Sequence, residues 1–294
     1  MHEPKYESSK NERFRINFSY EDNSRYDYWE RTSFSLENWS KLINHAKEKN
    51  INFLITPFSI KALENIYKLG LKRVKIGSAE AVDKLILNRA FDYGFEMVIS
   101  NGFCDNSIFE LIDQIKPKIN NLSVLECTSK YPSNPEDFNN TRYLSLLNAK
   151  DRIGIGVGVS DHSGETSIAK YAIVTGADIV EAHIVFDKRI FGPDAKASLE
   201  PNQWRDLIQF KKDISNIKSE NFSKISSTMK KTFSRSLAYS KTIRTKEKLK
   251  VNDLESIKSD GIGEPSSDYS NFIGKVLNQE VRQGQLLEKR HFID

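Results

Sequence analysis

The sequence predicts an α/β chain of the (β/α)8, or TIM barrel, type that lacks its first one or two βα units. Three observations predict it. Apolar runs with strand character recur roughly every 25 residues, at Asn52–Phe58, Arg73–Ser78, Glu96–Ser100, Asn121–Cys127, Ile153–Ser160 and Ile179–Phe186. Helical patterns with apolar residues at three-and-four spacing separate them, at Leu36–Lys49, Ile60–Leu69, Ala79–Tyr93, Ser107–Ile119, Thr166–Val174 and Pro201–Ile217. Finally, each strand candidate ends in side chains able to do chemistry.

Taken in order, the first thirty residues hold no clear βα unit and read as a long polar loop delivering the chain to the helix at Leu36. From Asn52 onward the βαβα alternation calls for a right-handed parallel sheet, open or closed. The strand ends decide for the closed form. Thr56, Ser78 with Glu80, Ser100, Thr128 through Tyr131, Ser160 through His162, and His183 would share one rim. A barrel collects residues from nearly every strand end, whereas an open doubly wound sheet uses mainly a switch point. Gly154, Gly156 and Gly158 fall within one strand candidate and open no helix, so they read as aids to close packing or ligand approach and not as a nucleotide cradle. Only six strands are found where a barrel needs eight, so strand edges would flank a gap. After a basic, serine-rich connector, short extended pieces punctuated by Gly261, Gly263, Pro265, Gly274 and Gly284 form a second, small module. The predicted division is residues 1–222 for the partial barrel, 223–232 for a solvated linker and 233–294 for the small domain.

Composition narrows the function. With 38% hydrophobic and 29% charged residues the 294-residue chain is in the globular range, and no apolar run approaches the roughly 20 residues that span a bilayer. The polar N-terminus lacks a secretory core, so a cytoplasmic location is expected. The net charge of +4 is dispersed, which argues against a nucleic-acid partner. Two cysteines, Cys104 and Cys127, are too few for a disulfide framework or a cysteine metal cage.

Chemistry concentrates in two places. His162 and His183 are one βα unit apart, so a parallel sheet would set the imidazoles side by side around a shared metal or anion. The competing reading is a pair of hydrogen-bonded core histidines. Lys75 lies inside an apolar strand, where a lone ammonium is costly to bury, and it should therefore face an anion, either a carboxylate such as Glu126 or a ligand. Glu80 reads either as a proton-moving carboxylate or as a first-turn glutamate at a helix N-terminus.

Six segments carry a family resemblance: Ile55-Thr56-Pro57-Phe58, Lys75-Ile76-Gly77-Ser78-Ala79-Glu80, Glu126-Cys127-Thr128-Ser129-Lys130-Tyr131-Pro132, Gly158-Val159-Ser160-Asp161-His162, Glu181-Ala182-His183, and Gly192-Pro193-Asp194-Ala195-Lys196-Ala197-Ser198-Leu199. In this order the chain resembles the sialic acid synthases, including those of the legionaminic and pseudaminic acids. The tail from Ser234 through Lys275 is similar to the family's antifreeze-like (SAF, β-clip) domain. The resemblance implies a transferase that condenses phosphoenolpyruvate with an N-acetylated mannose-type amino sugar, forming a carbon–carbon bond and releasing phosphate. It implies a divalent manganese or magnesium ion on His162 and His183, with Asp161 and Glu181 orienting their surroundings. It places phosphoenolpyruvate against Lys75 with Thr56, Ser78, Ser100, Ser129 and Ser160 as neutral donors, makes Glu80 catalytic, and sets Tyr131 and Asp194 against the sugar. A domain-swapped homodimer is implied as well.

The family's opening strand with its glutamate, and a later strand ending in Val-Lys-Phe-Gln, have no counterpart here. The chain therefore reads as N-terminally truncated, with a displaced start at Met1 favoured over a split enzyme or a degenerate paralogue. An arginine of the family's small domain is replaced by Ser259, with Lys258 beside it as a point charge. The alternative function is a non-catalytic paralogue or subunit that assembles with an intact synthase. A weaker third reading is a metal-dependent aldolase acting on pyruvate.

Overall fold

The computed structural model describes residues 1–14, 19–104, 107–217 and 227–293. Residues 223–226 of the expected linker lie outside these. The chain divides into two compact units, Met1–Asn216 and Ile217–Asp294.

The first unit is built on a parallel sheet whose strands pair strictly in chain order: β1 (Arg73–Ile76), β2 (Glu96–Ser100), β3 (Leu122–Cys127), β4 (Gly156–Asp161), β5 (Ile179–Ile184) and β6 (Ser198–Leu199). No pairing of β6 with β1 closes the ring among the described residues. Among the described residues this unit has nine α-helices: α1 (Pro4–Glu7), α2 (Arg25–Thr32), α3 (Leu36–Glu48), α4 (Ile60–Lys68), α5 (Lys84–Asp92), α6 (Ile108–Ile115), α7 (Asn140–Ile153), α8 (Ser167–Thr175) and α9 (Pro201–Asn216).

The pleat separates two faces. Alternation sends Val74, Ile76, Met97, Ile99, Leu122, Val124, Val157 and Val159 to one side, where they pack with α4 to α8 in a single core that includes Leu63, Ile66, Ile112, Tyr143 and Leu146. The opposite side carries Lys75, Ser100, Cys127, Ser160, Glu181 and His183. Register puts Cys127 opposite Ser160 and Ser160 opposite Glu181, one row across three strands. Gly158 belongs to this face, and a β-carbon there would collide with the Ile179 carbonyl on β5. The close approach of β4 to β5 is what that position requires.

Four expectations change. Asn52–Phe58 is not a strand, since Ile55 makes only an isolated parallel bridge to Val74. Its further backbone bonds go to Met1, which forms no ladder, and Pro57 can donate nothing to one. The sixth strand is instead the two-residue Ser198–Leu199 beside β5. The Gly-rich run begins its strand at Gly156, because α7 runs to Ile153 and ends on Gly154 at φ 72°. The N-terminal thirty residues are not one loop. Ser24 caps α2 by accepting from the Asp27 amide, and His2 stacks between Trp29 and Phe58 with centroids 3.6 and 4.2 Å away.

In the second unit, helix α10 (Ser227–Phe233) occupies most of the expected linker, whose polar composition does not preclude a short helix. Strands β7 (Arg235–Tyr239) and β8 (Leu254–Lys258) pair antiparallel, and isolated bridges such as Ala238 to Leu286 and Leu277 to Phe292 tie in the remaining turns. Leu237, Tyr239, Ile243, Leu249, Phe272, Leu277, Val281, Leu287 and Phe292 form a core of its own. Ser259 is spent locally, donating to the Ser236 hydroxyl at 2.6 Å, while the Lys258 ammonium lies 5.3 Å from the Phe233 ring centre.

Candidate active site

The polar face of the sheet gathers most of the expected residues at the C-terminal strand ends. Lys75 is almost fully buried at 7% exposure, and its Nζ donates to the Ser100 hydroxyl at 2.7 Å. Its carboxylate neighbour is Glu181, 3.5 Å away, and Glu181 also accepts from the Ser160 hydroxyl at 2.9 Å. Lys75, Ser100, Ser160 and Glu181 are thus one connected group over β1, β2, β4 and β5. The Glu126 alternative for Lys75 is overturned, because Glu126 projects from the other face into a two-pronged pair with Arg142 of α7, at 2.6 and 2.7 Å.

Next to this group stand the histidines. His162 follows β4 and His183 lies in β5, with ring centroids 5.3 Å apart and planes tilted by 43°. The Thr128 carbonyl, 3.1 Å from the His162 Nδ1, can only accept, so that nitrogen carries the proton and Nε2 keeps a free lone pair. Burial holds both imidazoles below the usual histidine range, with the Thr128 carbonyl opposing it at His162 and Asp194 opposing it at His183. Two adjacent neutral imidazoles are the donor type that would suit a divalent metal. Among the described residues no group of three or more His, Cys, Asp or Glu is disposed to hold a metal, so the protein donors on offer are this pair.

Tyr131 covers them, its ring centre 4.1 Å from that of His162 and 6.1 Å from that of His183. Ser78 accepts from the Gly102 amide at 3.1 Å and donates toward the Cys127 sulfur at 3.4 Å. A β-carbon on Gly102 would strike the hydroxyls of Ser78 and Ser129 together, so these two converge over that amide. Cys127 is buried on this face and lies 4.0 Å from the His162 Nδ1. Glu80 starts a one-turn helix and folds its carboxyl back over Gly77, with the Thr56 methyl on the same side. Burial raises its proton affinity, opposed by its own backbone amide and the charge of Lys75. Thr56 is half-buried, and its carbonyl receives the Met1 amino group.

Asp161 and Glu181 make no hydrogen bond to either ring. Asp161 accepts from the Ser163 amide at 2.9 Å, shaping the loop after His162, and Glu181 serves Lys75 and Ser160. Sequence reasoning missed Asn101, Gly102 and Arg142. Asn101 is fully buried, donates to Glu126 at 2.9 Å and accepts from the Cys127 amide at 3.0 Å, locking the ends of β2 and β3 together. The Asn101-Gly102 step directly after a strand was the available signal. Nothing in spacing announces Arg142.

Residues 2–222 match the NeuB family. The chain is 29% identical over 275 residues to the N,N'-diacetyllegionaminic acid synthase of Campylobacter jejuni, covering 91% of this chain and 81% of that protein. It is 28% identical over 280 residues to the enzyme of the same name from Legionella pneumophila, covering 92% and 78%. Among solved structures, the N-acetylneuraminic acid synthetase of Leptospira borgpetersenii, in complex with citrate, superposes with a TM-score of 0.61 at 27% identity, over 70% of this chain and 72% of that one.

Proposed function

This chain belongs to the NeuB family, the sialic acid synthases, and on that premise we propose that it condenses phosphoenolpyruvate with an N-acetylated mannose-type amino sugar, yielding a nonulosonic acid and phosphate. One observation carries the reading. A buried lysine, two serine hydroxyls and a pair of neutral, adjacent imidazoles share one face at the C-terminal ends of the strands of one parallel sheet.

In the reaction the enol carbon of phosphoenolpyruvate bonds to the sugar aldehyde carbon, the aldehyde oxygen takes a proton, water adds at the former enol-ether carbon, and phosphate departs from it. Lys75 and the Ser100 and Ser160 hydroxyls suit the anionic substrate, because a desolvated ammonium beside neutral donors favours a carboxylate or phosphate. Ser78 and Ser129, converging over the Gly102 amide, offer further donors for phosphate oxygens. Glu80, whose proton affinity burial raises, is suited to deliver or accept a proton as water adds. Tyr131 stacks beside His162 where the sugar would lie, and Asp194, whose charge acts on His183, is assigned to the same substrate. His162 and His183 would hold a divalent manganese or magnesium ion, which supplies Lewis-acid polarisation of the aldehyde.

The second unit is assigned to the antifreeze-like module, acting in a domain-swapped homodimer. No helix among the described residues is long and apolar enough to cross a membrane. The test is phosphate release on incubation with phosphoenolpyruvate, manganese, and N-acetylmannosamine or a diacetamido analogue. Release that requires the sugar supports the reading. A folded protein that releases none with any sugar refutes it and leaves the assembly-subunit alternative, which co-purification with an intact synthase would show.

A further inference from the structure

The segments that follow β4 and β5, residues 162–166 and 185–197, carry His162 and Asp194, and the side chain of Lys188 ties them together. Its ammonium donates to the Gly164 carbonyl and stands 3.4 Å from the Glu165 carboxylate, while its own amide donates to the Glu200 carboxylate just before α9 at 3.0 Å. Gly164 permits the close approach. It sits at φ 71°, and a β-carbon there would collide with the carbonyl of Lys196, two residues beyond Asp194.

The two segments are anchored unequally. His162 is fixed without Lys188, its ring against the Thr128 carbonyl and its own carbonyl accepting from the Ser133 amide at 3.1 Å. The residues after it are stiffened locally, since the Ser163 amide donates to Asp161 at 2.9 Å and the Glu165 amide to the Ser163 hydroxyl at 3.0 Å. Asp194 is held on its downstream flank, where the Ser198 hydroxyl and the Ala197 amide donate to its carbonyl at 2.7 and 3.0 Å and β6 pairs with β5. On its upstream flank Phe186, Ile190 and Phe191 are exposed, and the Arg189–Asp187 ion pair is internal to that flank. Lys188 is what joins the flank to the rigid segment after His162. With its ammonium already facing Gly164 and Glu165, Lys188 is not poised for an anionic ligand, and an ion pair at the surface adds little to stability. What the contact supplies is position. Asp194 acts electrostatically on His183, so a displaced turn is felt at the histidine pair.

We propose that Lys188 is a positioning residue: by clamping residues 185–193 to the Gly164 carbonyl it holds Asp194 in place against the sugar. The inference rests on the synthase reading and deepens it by separating what orders the sugar from what orders phosphoenolpyruvate. Lys75, Ser100 and Ser160 lie on strands, outside the clamped segments, and should not respond to Lys188.

The experiment uses the full chain, with phosphate release measured against phosphoenolpyruvate, manganese and whichever of N-acetylmannosamine and its 2,4-diacetamido analogue supports turnover. Lys188→Met removes the ammonium and keeps the stem. It should raise the KM for the sugar about tenfold and leave that for phosphoenolpyruvate within about twofold, as a slightly misplaced binding group would. Its Tm should stay within about 3 °C, and amide exchange of peptides covering residues 187–197 should quicken about tenfold. Lys188→Arg, whose guanidinium can still donate to the Gly164 carbonyl, should bring the sugar KM back to within about threefold of the unaltered protein. Gly164→Ala breaks the same contact from the other side and should give the same split, and the double variant should be no worse than the poorer single one. An unchanged sugar KM in Lys188→Met, a parallel rise in the KM for phosphoenolpyruvate, or an arginine variant as poor as the methionine one overturns the assignment, while release by the unaltered protein keeps the synthase reading. No release by the unaltered protein with either sugar overturns both.

Discussion

The two faces of the parallel sheet each bury a charged pair, and they use it differently. On the helix-covered face, Glu126 is 1% exposed, receives both prongs of Arg142 and also accepts from Asn101, so its oxygens are saturated within the protein. On the open face, Lys75 is nearly as buried, yet its carboxylate neighbour stands 3.5 Å off, is 38% exposed, and shares itself with Ser160. A closed, fully hydrogen-bonded pair fixes α7 to the sheet. A loose one leaves a cation able to exchange its partner for an anionic substrate. Glu126 and Lys75 are themselves similarly buried, and the completeness of hydrogen bonding together with the exposure of the partner separates support from chemistry.

The strongest way to break the contrast is Arg142→Leu. It strands the Glu126 charge in the core and should cost about 3–5 kcal/mol, lowering Tm by about 6–20 °C in a thermal melt. A melting point unchanged from the unaltered protein would show that water reaches Glu126. Lys75→Met is the mirror experiment. Because Glu181 keeps contact with solvent, the fold should hold its Tm within a few degrees, while kcat/KM for phosphoenolpyruvate falls about a hundredfold or more. Loss of stability without loss of turnover would make Lys75 a structural cation like Arg142. Smaller still, Glu181→Gln retains an acceptor for Ser160 but removes the negative charge that competes for Lys75. The KM for phosphoenolpyruvate should drop up to about fivefold, the worth of a partly exposed ion pair. A rise would mean that Glu181 orients the lysine.

The weakest effect is on pH. Burial raises the proton affinity of Glu80 in the folded state, so the native protein holds this proton at pH values where the unfolded chain has lost it. Stability should then fall as pH climbs from the ordinary glutamate range through the raised folded value, and Glu80→Gln should flatten that part of a denaturation-against-pH curve. Identical slopes in the two proteins would place the Glu80 carboxyl in solvent.

Much of the architecture is legible in the residues. Val74, Ile76, Met97, Ile99, Val124 and Val159 are apolar because helices cover their face, and that burial writes itself into the sequence as dense β-branched runs. Helix α7 was overlooked even though Asn139 caps it by accepting from the Arg142 amide and Tyr143 and Leu146 follow at helical spacing. The glycines after it draw attention to a strand whose first residue lies three positions later than the pattern suggests. Asn52–Phe58 shows the opposite failure, with strand composition but no more than an isolated bridge to β1.

Within the site, local motifs name His162, His183, Lys75 and the serines, because unusual residue types at strand ends are visible one at a time. The pairing of Lys75 with Glu181, 106 positions apart in the chain, is not visible, and neither is the departure of Glu126 to the opposite face. By itself, the sequence determined the βα order, the apolar face and which side chains carry chemistry, since hydrophobic periodicity and residue type are local properties. Tertiary structure alone decided which charge meets which, where the strand ladder stops, and that a polar N-terminal stretch stands against the turn before Asp194. Those outcomes depend on register and on contacts between residues distant in the chain, which no local pattern encodes.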